Sequence, residues 1–113
     1  MDQVKSEIEK GHFVRAVFLA ESAGLSRERI QDVQKEALWQ MSALYRNAPG
    51  TKKLAEQCGL SKRELKEMLE TMAKERRKQG NEGNLEPRYD LSTGKYVAFE
   101  EWMDLLARRW DKL

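Results

Sequence analysis

One histidine and one cysteine are the residues of this chain with the widest chemical range, since an imidazole can act as a general base and a thiolate as a nucleophile. His12 stands beside Phe13 in an N-terminal helical stretch, and Cys58 fills an apolar position in a helical pattern. One of each is too few for a structural zinc site. No glycine-rich phosphate loop, nucleophile elbow, paired-histidine metal helix or calcium loop occurs. The sequence therefore predicts a protein that is not an enzyme and needs no cofactor.

Basic side chains are concentrated in the middle third of the chain. The net charge is only +2 over 113 residues, but residues 51–80 carry nine basic and five acidic side chains, a net of +4. An anionic partner would be drawn to this segment. A solvated helix face, with no partner, is the alternative.

The length suits one domain, and 40% hydrophobic residues suffice for a folded core. We expect a single domain over 1–113, mainly α-helical, made of two tandem helix-turn-helix units, a short β-hairpin and a C-terminal helix. The expected parts are a first helical unit 1–47, a second unit 51–79, a hairpin 88–98 and a helix 99–112. No apolar run is long enough to span a membrane, and the N-terminus lacks the layout of a secretory signal. We therefore expect a cytoplasmic protein that does not bind membranes.

The chain contains an internal repeat. The segment Leu19–Arg27 (LAESAGLSR) is echoed by Leu54–Lys62 (LAEQCGLSK) at an offset of 35 residues. The apolar positions stay in phase beyond these segments. A duplicated helical hairpin explains the pattern best.

Each copy is predicted to fold as a short helix, a glycine turn and a longer helix. Gly24 and Gly59 can adopt the left-handed conformation that ends the first helix. Ser26 and Ser61 are then placed to cap the second helix, and Glu64 completes a capping box with Ser61.

The spacing of apolar residues predicts where the longer helices run. One covers residues 27–46 and stops before Pro49, and the other continues to about Arg77. Trp39 lies on the far side of the apolar stripe of its helix, which favours a helix buried on two faces over an exposed contact residue. The opening helical stretch is expected to be broken near Gly11.

The C-terminal third has a different character. Residues 79–87 are polar and glycine-rich and predict a loop. Residues 89–91 and 96–98 predict a hairpin in which Gly94 takes positive φ. The last helix carries a stripe of large apolar residues, including Trp102 and Trp110, that is either core or a partner surface.

The segment Thr51–Arg77 resembles the helix-turn-helix of bacterial transcription regulators. The apolar places of that pattern hold Leu54, Cys58, Leu60, Leu65 and Met68, its small residue is Ala55, and its turn is Gly59. With the hairpin as its wing, the second copy is similar to a winged helix. In such families the second helix enters the major groove of DNA.

The resemblance implies double-stranded DNA as the partner and a role in transcription regulation. Base-reading residues would be Ser61, Lys62, Arg63 and Lys66. Phosphate contacts would come from Lys52, Lys53, Lys74 and Arg77, with Lys95 at the hairpin tip touching the backbone or a minor groove. The same basic residues can instead pair with Glu67 and Glu70 along a solvated helix.

A helical protein-interaction adaptor is the alternative function. In this interpretation the duplicated hairpins form a scaffold, and Trp39, Trp102 or Trp110 contacts a protein partner or a second copy of the chain. Tandem helical hairpins also occur in repeats of the tetratricopeptide kind, but two copies are fewer than such stacks need.

Overall fold

The computed structural model describes residues 2–81, 83–91 and 93–113. Over these residues the fold is mainly helical, with a two-stranded antiparallel hairpin ahead of a C-terminal helix, as the sequence predicts. The α-helices are α1 (Asp2–Glu9), α2 (Phe13–Ser22), α3 (Arg27–Trp39), α4 (Ala48–Gln57), α5 (Lys62–Lys78) and α6 (Phe99–Arg108). The strands are β1 (Arg88–Asp90) and β2 (Lys95–Val97), and single turns of other helix types cover Gln40–Leu44 (π), Gly83–Leu85 and Trp110–Lys112 (both 3-10). None of the described helices is both long and apolar enough to cross a membrane.

Both glycine turns of the repeat end their first helix in the same way. Gly24 has φ +69° and Gly59 has φ +74°, the left-handed region that a glycine occupies without strain. In both copies the amide after the glycine donates to the carbonyl five residues earlier, at 3.3 Å in the first copy and 2.9 Å in the second. This arrangement satisfies carbonyls that a helix end leaves unpaired. The predicted turns are therefore confirmed in both copies.

The starts of the two longer helices differ in strength, as their sequences predict. Ser26 Oγ accepts a hydrogen bond from the amide of Arg29 at 3.3 Å. Ser61 Oγ accepts from the amide of Glu64 at 3.1 Å, and the Glu64 carboxylate accepts in return from the Ser61 amide at 3.1 Å. Hydrogen bonding of the Glu64 carboxylate to the Ser61 backbone, and then to the Ser61 side chain, lowers the pKa of Glu64. The capping box is confirmed at the start of α5.

The predicted helix 27–46 divides into α3 and a π-helical turn. Regular α-helix ends at Trp39, and residues Gln40–Leu44 continue with wider hydrogen bonding. The buried Gln40 side chain donates to the carbonyl of Gly11 and accepts from the amide of Phe13, so it holds the break between α1 and α2. Gly11 has φ +77° there, which confirms the expected break.

Helix α4 begins three residues earlier than the predicted second unit. Asn47 caps it by accepting a hydrogen bond from the amide of Gly50 at 3.0 Å. Pro49 lies in the first turn, where its missing N–H costs nothing. The preceding helical stretch already ends at Leu44, so Pro49 belongs to the start of α4 and does not end the helix before it.

The core lies where α3, α4, α5 and α6 meet. Its most deeply buried large side chains include Leu38, Leu65, Leu69 and Phe99. The apolar stripe of α6 faces inward, which resolves the choice between core and partner surface: its buried members are Phe99, Trp102, Met103 and Leu106.

The hairpin lies one residue earlier than predicted. Arg88 pairs with Val97, Tyr89 with Tyr96, and Asp90 with Lys95. The Asp90 carboxylate accepts hydrogen bonds from the amide and hydroxyl of Thr93 at 3.1 and 2.8 Å, so the turn closes at residue 90. Gly94 has φ +69°, which confirms the expected positive φ.

Arg46 connects the helical units to the C-terminal segment. Its own φ is +50°, and its guanidinium donates to four backbone carbonyls at 3.1 to 3.2 Å. The accepting residues are Ala43, Asn84, Glu86 and Val97. Burial lowers the pKa of Arg46 to about 10, and the nearby charge of Arg88 acts in the same direction against Glu100. The group still carries its charge at neutral pH.

Replacing Arg46 with alanine should lower the free energy of unfolding by about 3 kcal/mol, because four carbonyls lose a charged donor. Chemical denaturation followed by circular dichroism measures this loss. Arg27→Ala, at an exposed arginine, is the matched control and should change stability by less than about 0.5 kcal/mol. Equal stability of the two variants would show that Arg46 does not hold the C-terminal segment.

Candidate nucleic-acid interface

The α4–α5 unit presents the first turn of α5 at the surface. Ser61, Lys62 and Arg63 are all exposed directly after the Gly59 turn. The Arg63 side chain is 88% exposed and its Nε lies 3.1 Å from the Glu67 carboxylate. Within the described chain Lys62 makes no hydrogen bond or ion pair through its side chain. Two basic side chains therefore lie at the N-terminal end of α5, and the exposed Arg63–Glu67 ion pair is the one contact that engages them among the described residues.

Helix α6 covers one flank of α5. Lys66 Nζ lies 3.2 Å from the Asp104 carboxylate of α6 and 4.0 Å from Glu70. About three turns further along α5, Arg77 forms an ion pair with Glu100, which lies four residues before Asp104 on α6. Two of the side chains predicted to contact DNA therefore face an acidic stripe of the chain itself.

Lys52 is also engaged within the chain. Its Nζ donates to the carbonyl of Trp110 at 2.7 Å and lies 5.6 Å from the centre of the Trp110 indole. This contact joins α4 to the C-terminal turn. Lys52 as a phosphate contact stays a prediction, and the structure places its ammonium in a contact within the chain.

Three predicted phosphate contacts remain on the surface. Lys53 on α4, Lys74 on α5 and Lys95 on β2 are exposed, and none makes a side-chain hydrogen bond or ion pair with a described residue. Lys95 lines a shallow groove between β2 and α6, together with Glu101 and Asp104. Since Asp104 also contacts Lys66, α6 stands between the hairpin and α5. The hairpin therefore does not flank α5 in the way the winged-helix resemblance implies.

The three tryptophans occupy different depths. Trp39 is only 3% exposed, packed edge-on against Phe99 at 5.1 Å and covered by the Arg76 guanidinium at 4.6 Å. Trp102 is buried and stacks on Phe99. The buried interpretation of Trp39 is confirmed, and the burial of both residues argues against direct contact roles for them. Trp110 is half-buried and keeps part of its ring at the surface.

His12 and Cys58 lie in surroundings that are not typical of a catalytic base or nucleophile. His12 has an exposed side chain, and its Nδ1 lies 2.8 Å from the Glu7 carboxylate of α1. Burial raises the pKa of the Cys58 thiol, which is opposite to the shift of an activated nucleophile. Among the described residues no group of histidine, cysteine and acidic side chains is placed to hold a metal ion.

The basic side chains on one flank of α5 have acidic partners on α6 that the sequence does not predict. Glu100 and Asp104 of α6 pair with side chains of α5. Their spacing of four residues puts both on one face of α6, and Lys66 and Arg77 on α5 have opposite charge. This charge complementarity is visible in the sequence, but it does not by itself predict that α5 packs against α6.

No protein-family model, curated protein or solved structure matches this chain. The choice of ligand therefore depends on the geometry and charge of the residues described above.

Lys52→Ala should release the C-terminal turn, whereas Lys53→Ala should not. The expected loss for Lys52→Ala is about 1 kcal/mol of stability, since a charge-assisted hydrogen bond and a cation–π contact are removed. Acrylamide quenching of tryptophan fluorescence should rise for Lys52→Ala, because Trp110 is the least buried of the three indoles. Equal quenching in the two neighbouring variants would contradict the contact.

Proposed function

We propose that this chain binds double-stranded DNA through the α4–α5 unit and acts as a transcription regulator or as an accessory factor of one. The supporting observation is the first turn of α5, fixed by the Gly59 turn and the Ser61 capping box and carrying exposed Lys62 and Arg63. An N-terminal helix end with basic side chains suits a phosphate or a base edge.

Little energy is needed to redirect these side chains to DNA. The Arg63–Glu67 pair has side chains that are 88% and 66% exposed, and such helix surface pairs are worth about 0.5 kcal/mol or less. Lys53 and Lys74 add two exposed basic groups on the same pair of helices. Lys74, however, lines a groove with Glu100 and Asp104 of α6, far along α5 from its first turn. The proposed contact set is therefore Lys53, Ser61, Lys62 and Arg63.

Helix α6 limits how α5 can meet a duplex. Asp104 and Glu100 occupy the flank that holds Lys66 and Arg77, and carboxylates facing phosphates are repelled. We therefore propose that the N-terminal turn of α5 approaches the duplex end-on, with Lys66 and Arg77 as secondary contacts at most.

A labelled random-sequence duplex, titrated across a salt series, tests this function. The Lys62→Ala, Arg63→Ala double variant should weaken binding by about tenfold and reduce the slope of log affinity against log salt by about 2, one for each lost phosphate contact. Lys66→Ala, Arg77→Ala should have a smaller effect.

Lys5→Ala, Lys10→Ala is the matched control, because it removes the same charge from exposed positions on and just after α1. Its binding should stay close to that of the unaltered protein. Absence of duplex binding at low salt, or equal losses in the control and the α5 variant, would exclude DNA binding through this surface.

A further inference from the structure

A long groove runs between α3 and α5, on the side of α5 opposite to α6. Its volume is about 610 Å³, within the range of about 300–1,000 Å³ that ligand-binding clefts occupy. The two helices are joined near their C-terminal ends by Arg76, whose guanidinium pairs with Glu36 at 3.2 Å and covers Trp39. Apart from Glu36 itself, the residues that line the groove precede this junction on both helices.

The floor of the groove is apolar and incompletely covered. Leu60, Met68 and Met72 line it and are half-buried. Met68 and Met72 are one helical turn apart, so they form a continuous strip along α5. Methionine side chains are flexible and polarizable, and they are frequent where a protein accepts apolar side chains of varied shape.

The rim of the groove is acidic. Its charged residues are Asp32, Lys35, Glu36, Glu64, Glu67 and Glu75. Three of the carboxylates are already engaged within the chain, with Arg76, with the amide of Ser61 and with Arg63. Asp32 and Glu75 make no ion pair with a described residue, and they stand on opposite helices. The rim thus carries a negative field although the chain as a whole is positive.

We propose that this groove binds a basic amphipathic helix of a partner protein. An apolar strip along a helical groove accepts the apolar face of such a helix. Acidic residues on both walls would then meet lysines and arginines that flank that face, which sets the partner's charge. Nucleic acid is not a suitable occupant of this groove, because its phosphates would be repelled by the rim.

This inference goes beyond DNA binding and does not depend on it. Lys62 and Arg63 stand at the exposed N-terminal end of α5, whereas Met68 and Met72 face α3. Neither Lys62 nor Arg63 lines the groove. Each site can therefore be altered and measured separately.

The probe is a labelled peptide as long as α5, with leucines at helical spacing on one face and lysines elsewhere. Fluorescence anisotropy should show binding in the micromolar range at moderate salt. Asp32→Lys with Glu75→Lys should weaken binding at least about tenfold, because it reverses two charges on the rim. Met68→Gln with Met72→Gln should weaken it to a similar extent by removing the apolar strip.

The matched control is Glu56→Lys with Asp111→Lys, which makes the same change in total charge at exposed positions outside the groove. Its affinity should remain within about threefold of the unaltered protein. A thermal melt of every variant shows that the fold is retained.

Three results would overturn the proposal. These are no binding of the basic peptide, equal binding of a version with glutamates in place of the lysines, and equal losses in the rim and control variants. A stable dimer of the unaltered protein that the rim variant dissociates would also overturn it, because a second copy would then occupy the groove. Sedimentation equilibrium measures that state directly.

Discussion

The hydrogen bonds of Arg46 determine where the C-terminal third of the molecule lies. One guanidinium reaches the carbonyls of Asn84 and Glu86 in the loop and of Val97 in β2, while it also closes the π-helical turn at Ala43. The Glu86 carbonyl lies in a loop and the Val97 carbonyl at the last residue of β2, and carbonyls withdrawn from water need donors. Because β2 leads directly into α6, the anchoring of Val97 also positions that helix.

The position of α6 gives α5 its two different sides. The apolar stripe of α6 packs into the core, and its acidic residues then fall beside Lys66 and Arg77. This flank of α5 is neutralised within the chain, and the opposite side meets α3 across an open acidic groove. Exposed basic side chains remain at the first turn of α5. The proposed DNA contact and the proposed peptide groove are both consequences of this arrangement.

Features that depend on neighbouring residues were predictable from the sequence. The glycine turns, the Ser61 capping box and the break at Gly11 depend on local conformational preferences, and the structure confirms them. Contacts between residues that are distant in the sequence were not predictable from it. Arg46 meets acceptors 38 to 51 residues away, and no local pattern distinguishes it from a solvated arginine. Both strands lie one residue earlier than predicted because the Asp90 side chain closes the turn, and the alternation of residue types does not show that contact.

The same limit applies to the candidate interface. The helix-turn-helix resemblance predicts nine basic or polar side chains as DNA contacts and does not distinguish among them. In the folded chain, tertiary contacts engage three of the nine, Lys52, Lys66 and Arg77. The strength of a basic patch depends on which acidic residues the fold brings beside it. Only the folded chain supplies that information.

A nuclear magnetic resonance titration of isotope-labelled protein with a short duplex tests the central claim most directly, because it reports every amide separately. Shifts concentrated at residues 61–63 and at Lys53, with residues 99–108 unchanged, are the predicted result. Shifts confined to α6 or to the first helical unit, with residues 61–63 unaffected, would contradict the assignment of the α5 terminus as the surface that meets DNA.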